Sequence, residues 1–455
     1  MGRVVARAGA RIGACGPAGA FTLASLGSAL LYASEARALT DLASGGTAGS
    51  GTPSSGGTAG YWTDTSPTAD ALVQATSGRR PVVKTHAKGR GVAIFGTGGV
   101  GAGGAYLETG ASKTGIKWAW LVATLIGPDT TRGVGASPVG LFNDDYHGAL
   151  GTAPISVSAV LVTGFTGSNN LGQYSLTGYA RDGASISAAA ADVGLGRRRV
   201  ILRVEHGSAA DAGKLNALRH VGYDGFYMRG AMHAVIAGSS ALSAGDVANV
   251  DNYLASYWLG GGLVAITGDS IGAGYGVTET QGPSAILHEA YNRCVPCPVI
   301  AVPGQGIGSS ISPLSDTLLT TDAAKLSAIK FSHSPAVLVV VCGTNDLANS
   351  RTAAQLLTDV QTYTAARRAE GWRVVVCTVP ARTKDTDGIT AWPAGKETER
   401  TTYNSSLVSG WSSWADGLAD LDAAAPGLAA DGIHLSVAGN ATIAATIQTA
   451  TDALL

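Results

Sequence analysis

The sequence carries little charge, and neither sign is in excess. Charged residues make up 14% of the 455 residues, and 31 Lys and Arg face 32 Asp and Glu, so the net charge is -1. A surface that binds a polyanion needs clustered positive charge. Nucleic acid is therefore not expected as a partner. Hydrophobic residues, at 45%, are numerous enough to build buried cores, which excludes global disorder.

Cysteine is also scarce. Five cysteines are too few for a disulfide scaffold, although a single bridge stays open. Cys294 and Cys297 have C-x-x-C spacing, but no second ligand pair lies near them, so no metal site is expected. Cys342 and Cys377 lie in apolar runs and are predicted to be core thiols.

The sequence shows no long hydrophobic run that is free of interruptions, as a membrane span would require. Residues 12–34 are uncharged and follow three arginines, but glycine and proline interrupt them, so no span is predicted. Two interpretations stay open: a signal peptide cleaved near Ala36 or Ala38, or a first strand at residues 28–33. Residues 1–25 are interpreted as a leader, either a signal or a disordered segment.

The pattern of the N-terminal half predicts an all-β domain. Residues 43–60 consist of small residues only and predict a flexible loop. Short β-prone runs with glycine-rich turns then follow up to residue 235, which predicts an antiparallel sandwich. Residues 61–83, 89–96 and 235–260 resemble concanavalin A-like, laminin G-type jelly rolls of secreted and phage-tail proteins. The resemblance implies an accessory jelly-roll domain at 26–259, and an extracellular or virion-associated protein.

Two short patterns in this half suggest a ligand but have simpler explanations. Residues 96–101 match G-x-G-x-x-G, yet no helix is predicted after them, so a glycine-rich hairpin is favoured and no cofactor is expected. Residues 143–147 (Asn-Asp-Asp-Tyr-His) could hold calcium or sugar, but a solvated turn is the favoured interpretation.

After Gly260 the pattern changes to alternating strands and helices. Apolar, β-branched runs at 263–267, 298–302, 336–342 and 373–379 are typical of parallel strands buried on both faces. Helices are predicted at 352–369 and 436–454. This alternation predicts one doubly wound sheet with its site at the carboxyl ends of the strands.

Polar residues follow several of these strands. Ser270, in Gly-Asp-Ser, stands where the first strand gives way to a helix, so helix amides can point at its oxygen. Asp431 precedes His434 by three residues in Asp-Gly-Ile-His, and this pair can orient an imidazole that takes a proton from Ser270. Asn345, in Gly-Thr-Asn-Asp, and a glycine-rich turn at 303–310 can supply donors to an oxyanion.

These four blocks, in order, resemble those of the SGNH (GDSL-type) hydrolases. The resemblance covers residues 262–455 and implies an α/β three-layer, flavodoxin-like catalytic domain at 260–455. The residues 268–272 also fit the G-x-S-x-G elbow of α/β-hydrolases, but that fold places its elbow after several strands and its acid well before its histidine. The expected fold class is thus multi-domain, an all-β jelly-roll sandwich followed by this hydrolase domain.

The resemblance also implies roles for residues. Ser270 becomes the nucleophile, His434 the general base and Asp431 its orienting partner. The oxyanion hole comprises the Ser270 N–H, a glycine N–H and the Asn345 side chain.

The choice of that glycine is open among three. Gly308 is favoured because a Ser-Ser pair follows it, as a polar pair usually does in the family; Gly306 is second, and Gly304 also competes.

The expected function is hydrolysis of short-chain carboxylic esters through an acyl-enzyme, without metal or cofactor. The intervals between the blocks leave no room for a large lid domain, which favours short acyl groups. A jelly roll beside such a site resembles enzymes that deacetylate polysaccharides, so a carbohydrate O-acetyl esterase acting on an acylated polysaccharide is the first choice. The alternatives are a general short-chain esterase or lipase, and a catalytically inactive structural or adhesive protein of the phage-tail type.

Overall fold

The structure is a computed structural model, and it describes the C-terminal half almost continuously and the N-terminal half in pieces. The described residues are 21–35, 39–40, 61–62, 66, 72–73, 82–89, 92–95, 107–112, 116–125, 176–181, 184–185, 199–210, 214–217, 230–311, 314, 317–330 and 333–455. Residues 1–20 of the predicted leader, the small-residue loop at 43–60, and the patterns at 96–101 and 143–147 lie outside this set.

The described strands before residue 240 pair antiparallel in two sheets. They are β1 Leu30–Glu35, β2 Leu39–Thr40, β3 Tyr61–Trp62, β4 Leu72–Val73, β5 Val82–Lys84, β6 Val92–Phe95, β7 Leu107–Ser112, β8 Ile116–Leu125, β9 Leu176–Arg181, β10 Ala184–Ser185, β11 Arg199–Ala210, β12 Lys214–Ala217 and β13 Gly230–Gly238. One sheet has the order β10-β9-β11-β8-β13-β6-β5, with β1 also on β13, and the other has the order β12-β7-β4-β3-β2. A 3-10 helix, Leu23–Ala29, precedes β1. Antiparallel pairing agrees with the sequence, whereas the jelly-roll topology stays a prediction because most connections lie outside the described residues.

Helix α1, Ala244–Leu254, joins the two halves. Ser243 begins it with a capping box, and one turn of π-helix, Ala255–Leu259, follows. The buried guanidinium of Arg199 on β11 donates to the Trp258 carbonyl at 3.1 Å and to the Cys294 carbonyl at 2.9 Å. The β half therefore packs directly against the α/β half.

The described strands after residue 260 form a parallel sheet with helices on both faces. The strands are β14 Leu263–Gly268, β15 Ala336–Val341, β16 Arg373–Cys377 and β17 Gly417–Ala419, in the order β14-β15-β16-β17. The helices are α2 Ser270–Ala273, α3 Pro283–Ala290, α4 Leu318–Lys330, α5 Thr344–Ala348, α6 Ala353–Ala369, α7 Ala394–Gly410 and α8 Val437–Asp452, with 3-10 turns at Glu279–Gln281 and Trp411–Ser413. The predicted α/β domain with a parallel sheet is confirmed.

Alternation along each strand divides the core into two layers. Leu263 and Ala265 of β14 pack in one layer with residues of α6 and α7, whereas Val264 and Ile266 pack in the other with residues of α3 and α8. All six residues of β14 and of β15 are buried, as the continuous apolar runs predict for strands covered on both faces. Cys342 and Cys377 are buried thiols in these layers, which confirms that prediction.

The segment 298–302 differs from its prediction as a full strand. It runs parallel to β14, and the N–H groups of Ile300 and Val302 donate to β14 carbonyls at 2.9 and 3.0 Å, yet it forms only an isolated bridge. Pro298 and Pro303 lack an N–H and cannot extend the ladder. Counting this segment, the spatial order of the sheet follows the 2-1-3-4-5 pattern, whose switch point lies between β14 and β15.

Within the described ranges, no helix combines the length and apolar character that a bilayer crossing requires.

Candidate active site

The end of β14 brings Ser270 to the switch point. Gly268 has a φ of 132°, and a Cβ there would lie 1.7 Å from the Val341 carbonyl oxygen, so only glycine lets the ends of β14 and β15 approach this closely. The Asp269 carboxylate accepts from the Ile271 N–H at 2.9 Å and caps α2. Ser270 is then the first residue of that helix.

The loop before α8 carries Asp431 and His434. Asp431 Oδ1 accepts from the N–H groups of Ile433 and His434, both at 2.9 Å. These two bonds hold the backbone of the loop in its turn. Gly432 has a φ of 67°, and a Cβ there would lie 2.3 Å from Thr383 Oγ1. The neighbouring loop therefore packs against a position where only glycine fits.

Ser270, His434 and Asp431 form one hydrogen-bonded chain. His434 Nε2 lies 3.0 Å from Ser270 Oγ, and Nδ1 lies 2.6 Å from Asp431 Oδ2. Partial burial would raise the pKa of Asp431, but the hydrogen bonds from Ile433 and His434 outweigh it and lower the pKa to about 2. An ionised carboxylate can only accept, so Nδ1 carries the proton and the neutral ring offers Nε2 as acceptor to the Ser270 hydroxyl.

Asn345 follows β15 on the first turn of α5 and is buried. Its Nδ2 donates to the Gln305 carbonyl at 2.9 Å, and no partner for its second N–H is found among the described residues. The same holds for the backbone N–H of Ser270. Both groups therefore keep a donor available.

Asp346 holds the glycine-rich loop by three backbone amides. Its carboxylate accepts from Ile307 at 3.0 Å and from Gly308 and Ser309 at 2.9 Å. A bond from the Gly308 N–H to an oxyanion would require this contact to break. The Gly306 N–H donates to Ser310 Oγ at 3.0 Å.

Gly304 differs from the other two glycines, because its N–H has no partner in the described part of the chain. The Val302 N–H donates to the Gly268 carbonyl at 3.0 Å, which places Gly304 close to the end of β14.

Buried ionisable groups lie around Ser270. Burial raises the pKa of Asp269 to about 7, with nearby Asp346 adding to the effect and Arg382 opposing it. Burial also raises the pKa of Asp346, although the hydrogen bonds from its three amide donors lower it in part. Burial lowers the pKa of Arg382, although the charges of three aspartates raise it in part. Its Nη1 donates to Thr344 Oγ1 at 3.1 Å. Thr344 precedes Asn345, so Arg382 connects this charge cluster to the predicted oxyanion donor.

Sequence reasoning missed Asp346, Arg382 and Tyr275, the last of which contacts the ring of His434. Asp346 directly follows Asn345, so its place in the Gly-Thr-Asn-Asp block was the one available signal. In the described part of the chain, no group of three or more His, Cys, Asp or Glu side chains is arranged to hold a metal ion.

The α/β half of the chain is similar to a known protein family. Residues 266–442 match the GDSL-like Lipase/Acylhydrolase family, and the match spans the positions of Ser270, Asn345, Asp431 and His434. The α/β half is a carboxylic ester hydrolase domain. A search of curated proteins found no match.

Several solved structures are similar to this domain. A carbohydrate acetylesterase family member from Sinorhizobium meliloti shares 15% identity, with 42% of this chain and 98% of that chain covered and a TM-score of 0.35. The aryl esterase of M. smegmatis shares 16%, covering 42% and 99% with a TM-score of 0.35. A lipolytic G-D-S-L family member from Veillonella parvula DSM 2008 shares 14%, covering 41% and 97% with a TM-score of 0.32.

Proposed function

We propose that this ester hydrolase is a serine esterase with Ser270 as nucleophile. The observation that carries the proposal is the continuous chain from Ser270 Oγ through both ring nitrogens of His434 to Asp431. Ser270 attacks the ester carbonyl carbon while His434 Nε2 takes its proton. The protonated ring then gives this proton to the alcohol oxygen as the C–O bond breaks, and water releases the acyl group from Ser270 by the same sequence.

The oxyanion in this proposal accepts from the Ser270 N–H and from the Asn345 side-chain N–H for which the described ranges offer no other acceptor. Each such donor contributes on the order of 10² to 10³ in rate, because it meets charge that develops only in the transition state. Gly308, the favoured glycine, has its N–H engaged by Asp346. Gly304, whose N–H has no partner among the residues that the structure describes, and Gly306, whose partner is a rotatable hydroxyl, suit the third position better.

The substrate we propose is an O-acetylated carbohydrate. Ser270 is buried, whereas 41% of the Asp431 side chain and 54% of Tyr275 are exposed. A site that is buried at Ser270 and exposed at the two residues that flank His434 suits a small acyl group on a large alcohol. A long acyl chain would instead need a broad apolar channel to cover it.

The test of the mechanism uses Ser270→Ala, His434→Ala and Asp431→Asn. Loss of the serine or the histidine should cost about 10⁶ in kcat, and the Asp431→Asn variant about 10⁴, because the amide favours the wrong tautomer. A fluorophosphonate should label the wild type but not Ser270→Ala. Ser405→Ala, which alters a hydroxyl on an exposed turn of α7, serves as the matched control. Labelling of Ser270→Ala at the wild-type rate would contradict the assignment.

We also propose that the β half is an accessory module that holds an acylated polymer near Ser270. Removal of residues 1–259 should then reduce the ratio of the rate on acetylated xylan to the rate on a soluble acetyl ester by about 10² or more, since a linked module raises the local substrate concentration. Because the ratio is taken within one preparation, a general loss of stability cancels. An unchanged ratio would make the β half a spacer or an assembly module. The predicted location outside the cell or on a virion stays a prediction.

A further inference from the structure

Tyr275 is an exposed residue that contacts both His434 and Ser270. Its ring centroid lies 4.6 Å from that of His434, with the planes tilted by 46°. Its backbone N–H donates to the Ser270 carbonyl at 2.9 Å. The residue is therefore fixed to the nucleophile through its backbone and to the base through its ring, yet 54% of it faces solvent.

The position of the Tyr275 ring relates it to the alcohol part of the ester. His434 must deliver its proton to the alcohol oxygen of the ester, so the alcohol has to lie within hydrogen-bond reach of Nε2. The carbonyl oxygen lies instead toward Asn345 and the Ser270 N–H. A side chain that contacts the imidazole therefore lies on the side of the site where the alcohol must sit.

An aromatic ring exposed at that place offers a particular chemistry. Its face is large and apolar, while its hydroxyl, which has no hydrogen-bond partner among the described residues, remains available as a polar tip. A flat partner with C–H groups or an aromatic face packs well on such a ring, and a short alkyl alcohol covers little of it.

We infer that Tyr275 forms the binding subsite for the alcohol moiety of the substrate and selects alcohols with a flat apolar face. The inference rests on the proposed serine esterase mechanism. Two sources share this chemistry, the C–H face of a pyranose and the ring of a phenol. Tyr275 acts by holding the leaving group beside His434, so its contribution belongs to binding.

The experiment compares three acetyl esters that differ only in the alcohol: a mono-O-acetylated methyl xyloside, phenyl acetate and ethyl acetate. Tyr275→Ala should lower kcat/KM for the flat-faced alcohols about tenfold, mainly through KM, because an aromatic contact contributes about a factor of ten. Ethyl acetate should change less than about twofold. Tyr275→Phe should retain the wild-type preference, and Val408→Ala, which shortens an exposed apolar side chain on α7, is the control.

Each outcome decides the inference. A loss confined to the xyloside assigns the subsite to a sugar, a loss confined to phenyl acetate assigns it to an aryl alcohol, and a loss on both confirms the shared chemistry. An equal loss on ethyl acetate, no loss at all, or a displaced pH profile of kcat/KM would overturn it, the last because Tyr275 would then act on His434. Failure of the wild type to hydrolyse any of the three esters would overturn the proposed function itself, before any variant is made.

Discussion

The carboxyl group of Asp269 is buried directly beside Ser270, and its burial has a consequence for stability. Its folded pKa of about 7 exceeds the ordinary value of 3.8. Between these values the folded protein holds a proton that the unfolded chain has lost. The free energy of unfolding should therefore fall as pH rises through this window, by on the order of 4 kcal/mol at most.

Asp269→Asn should remove this dependence. The amide cannot ionise, and its oxygen can still accept from the Ile271 N–H, since asparagine caps helices as well as aspartate does. We expect the melting temperature of the variant relative to wild type to be higher at pH 9 than at pH 5. Two parallel curves of melting temperature against pH would show that Asp269 does not titrate in this window.

Single residues also show what the sequence could and could not predict. Asp431 and His434 lie three residues apart, and Ser270 stands in a short block, so local pattern was enough to nominate all three, which the structure brings together. The engagement of the Gly308 amide depends on Asp346, a residue distant in the chain, and the Tyr275 ring contact depends on the packing of two loops. Neither contact has a local signature.

At the scale of elements, the glycine-rich loop has its conformation set by α5. Asp346→Asn should lower kcat about 10² or more with little change in KM, because the NH2 group replaces one accepting oxygen and opposes either the Ile307 N–H or the N–H groups of Gly308 and Ser309. Displacement of the proposed oxyanion donors by about 1 Å costs that much. Steady-state kinetics with a soluble acetyl ester would measure it.

A matched control exists at the far edge of the sheet. The Asp416 carboxylate accepts from the Val374 N–H at 2.8 Å, and Asp416→Asn should lower the melting temperature without lowering kcat. Equal effects of both variants on kcat would mean that Asp346 contributes only to stability.

Elements with strong local chemistry were predictable. The helix expected at 352–369 is α6, with Thr352 as its capping residue, and the helix expected at 436–454 is α8, capped by Ser436. Strand β17 was missed because its three residues, Gly-Leu-Ala, include no β-branched side chain and form a strand only by pairing with β16. For segment 298–302 the prediction was too generous. Its composition favours a strand, but its flanking prolines lack the N–H groups that would extend the hydrogen-bond ladder.

At the scale of the whole molecule, Arg199 connects the two halves. Arg199→Met leaves the Trp258 and Cys294 carbonyls without this buried donor, at a cost of about 2 to 5 kcal/mol in the free energy of unfolding. Denaturant unfolding would measure the loss, and kcat on a soluble ester should stay unchanged. Arg293→Met, which removes a surface ion pair with Glu289, should cost less than about 1 kcal/mol. Similar losses for both variants would show that the junction contributes little.

The sheet order has a further consequence during synthesis. Ser270 and His434 lie 164 residues apart, one after the first parallel strand and the other just before the last helix. Ribosomes add about 5 to 20 residues per second, so roughly 10 to 30 s separate the appearance of the two. For that interval the nascent polypeptide carries the proposed nucleophile without the proposed base. Under the proposed mechanism the growing chain is inert toward esters, and activity begins only when the loop of His434 and helix α8 close onto the sheet.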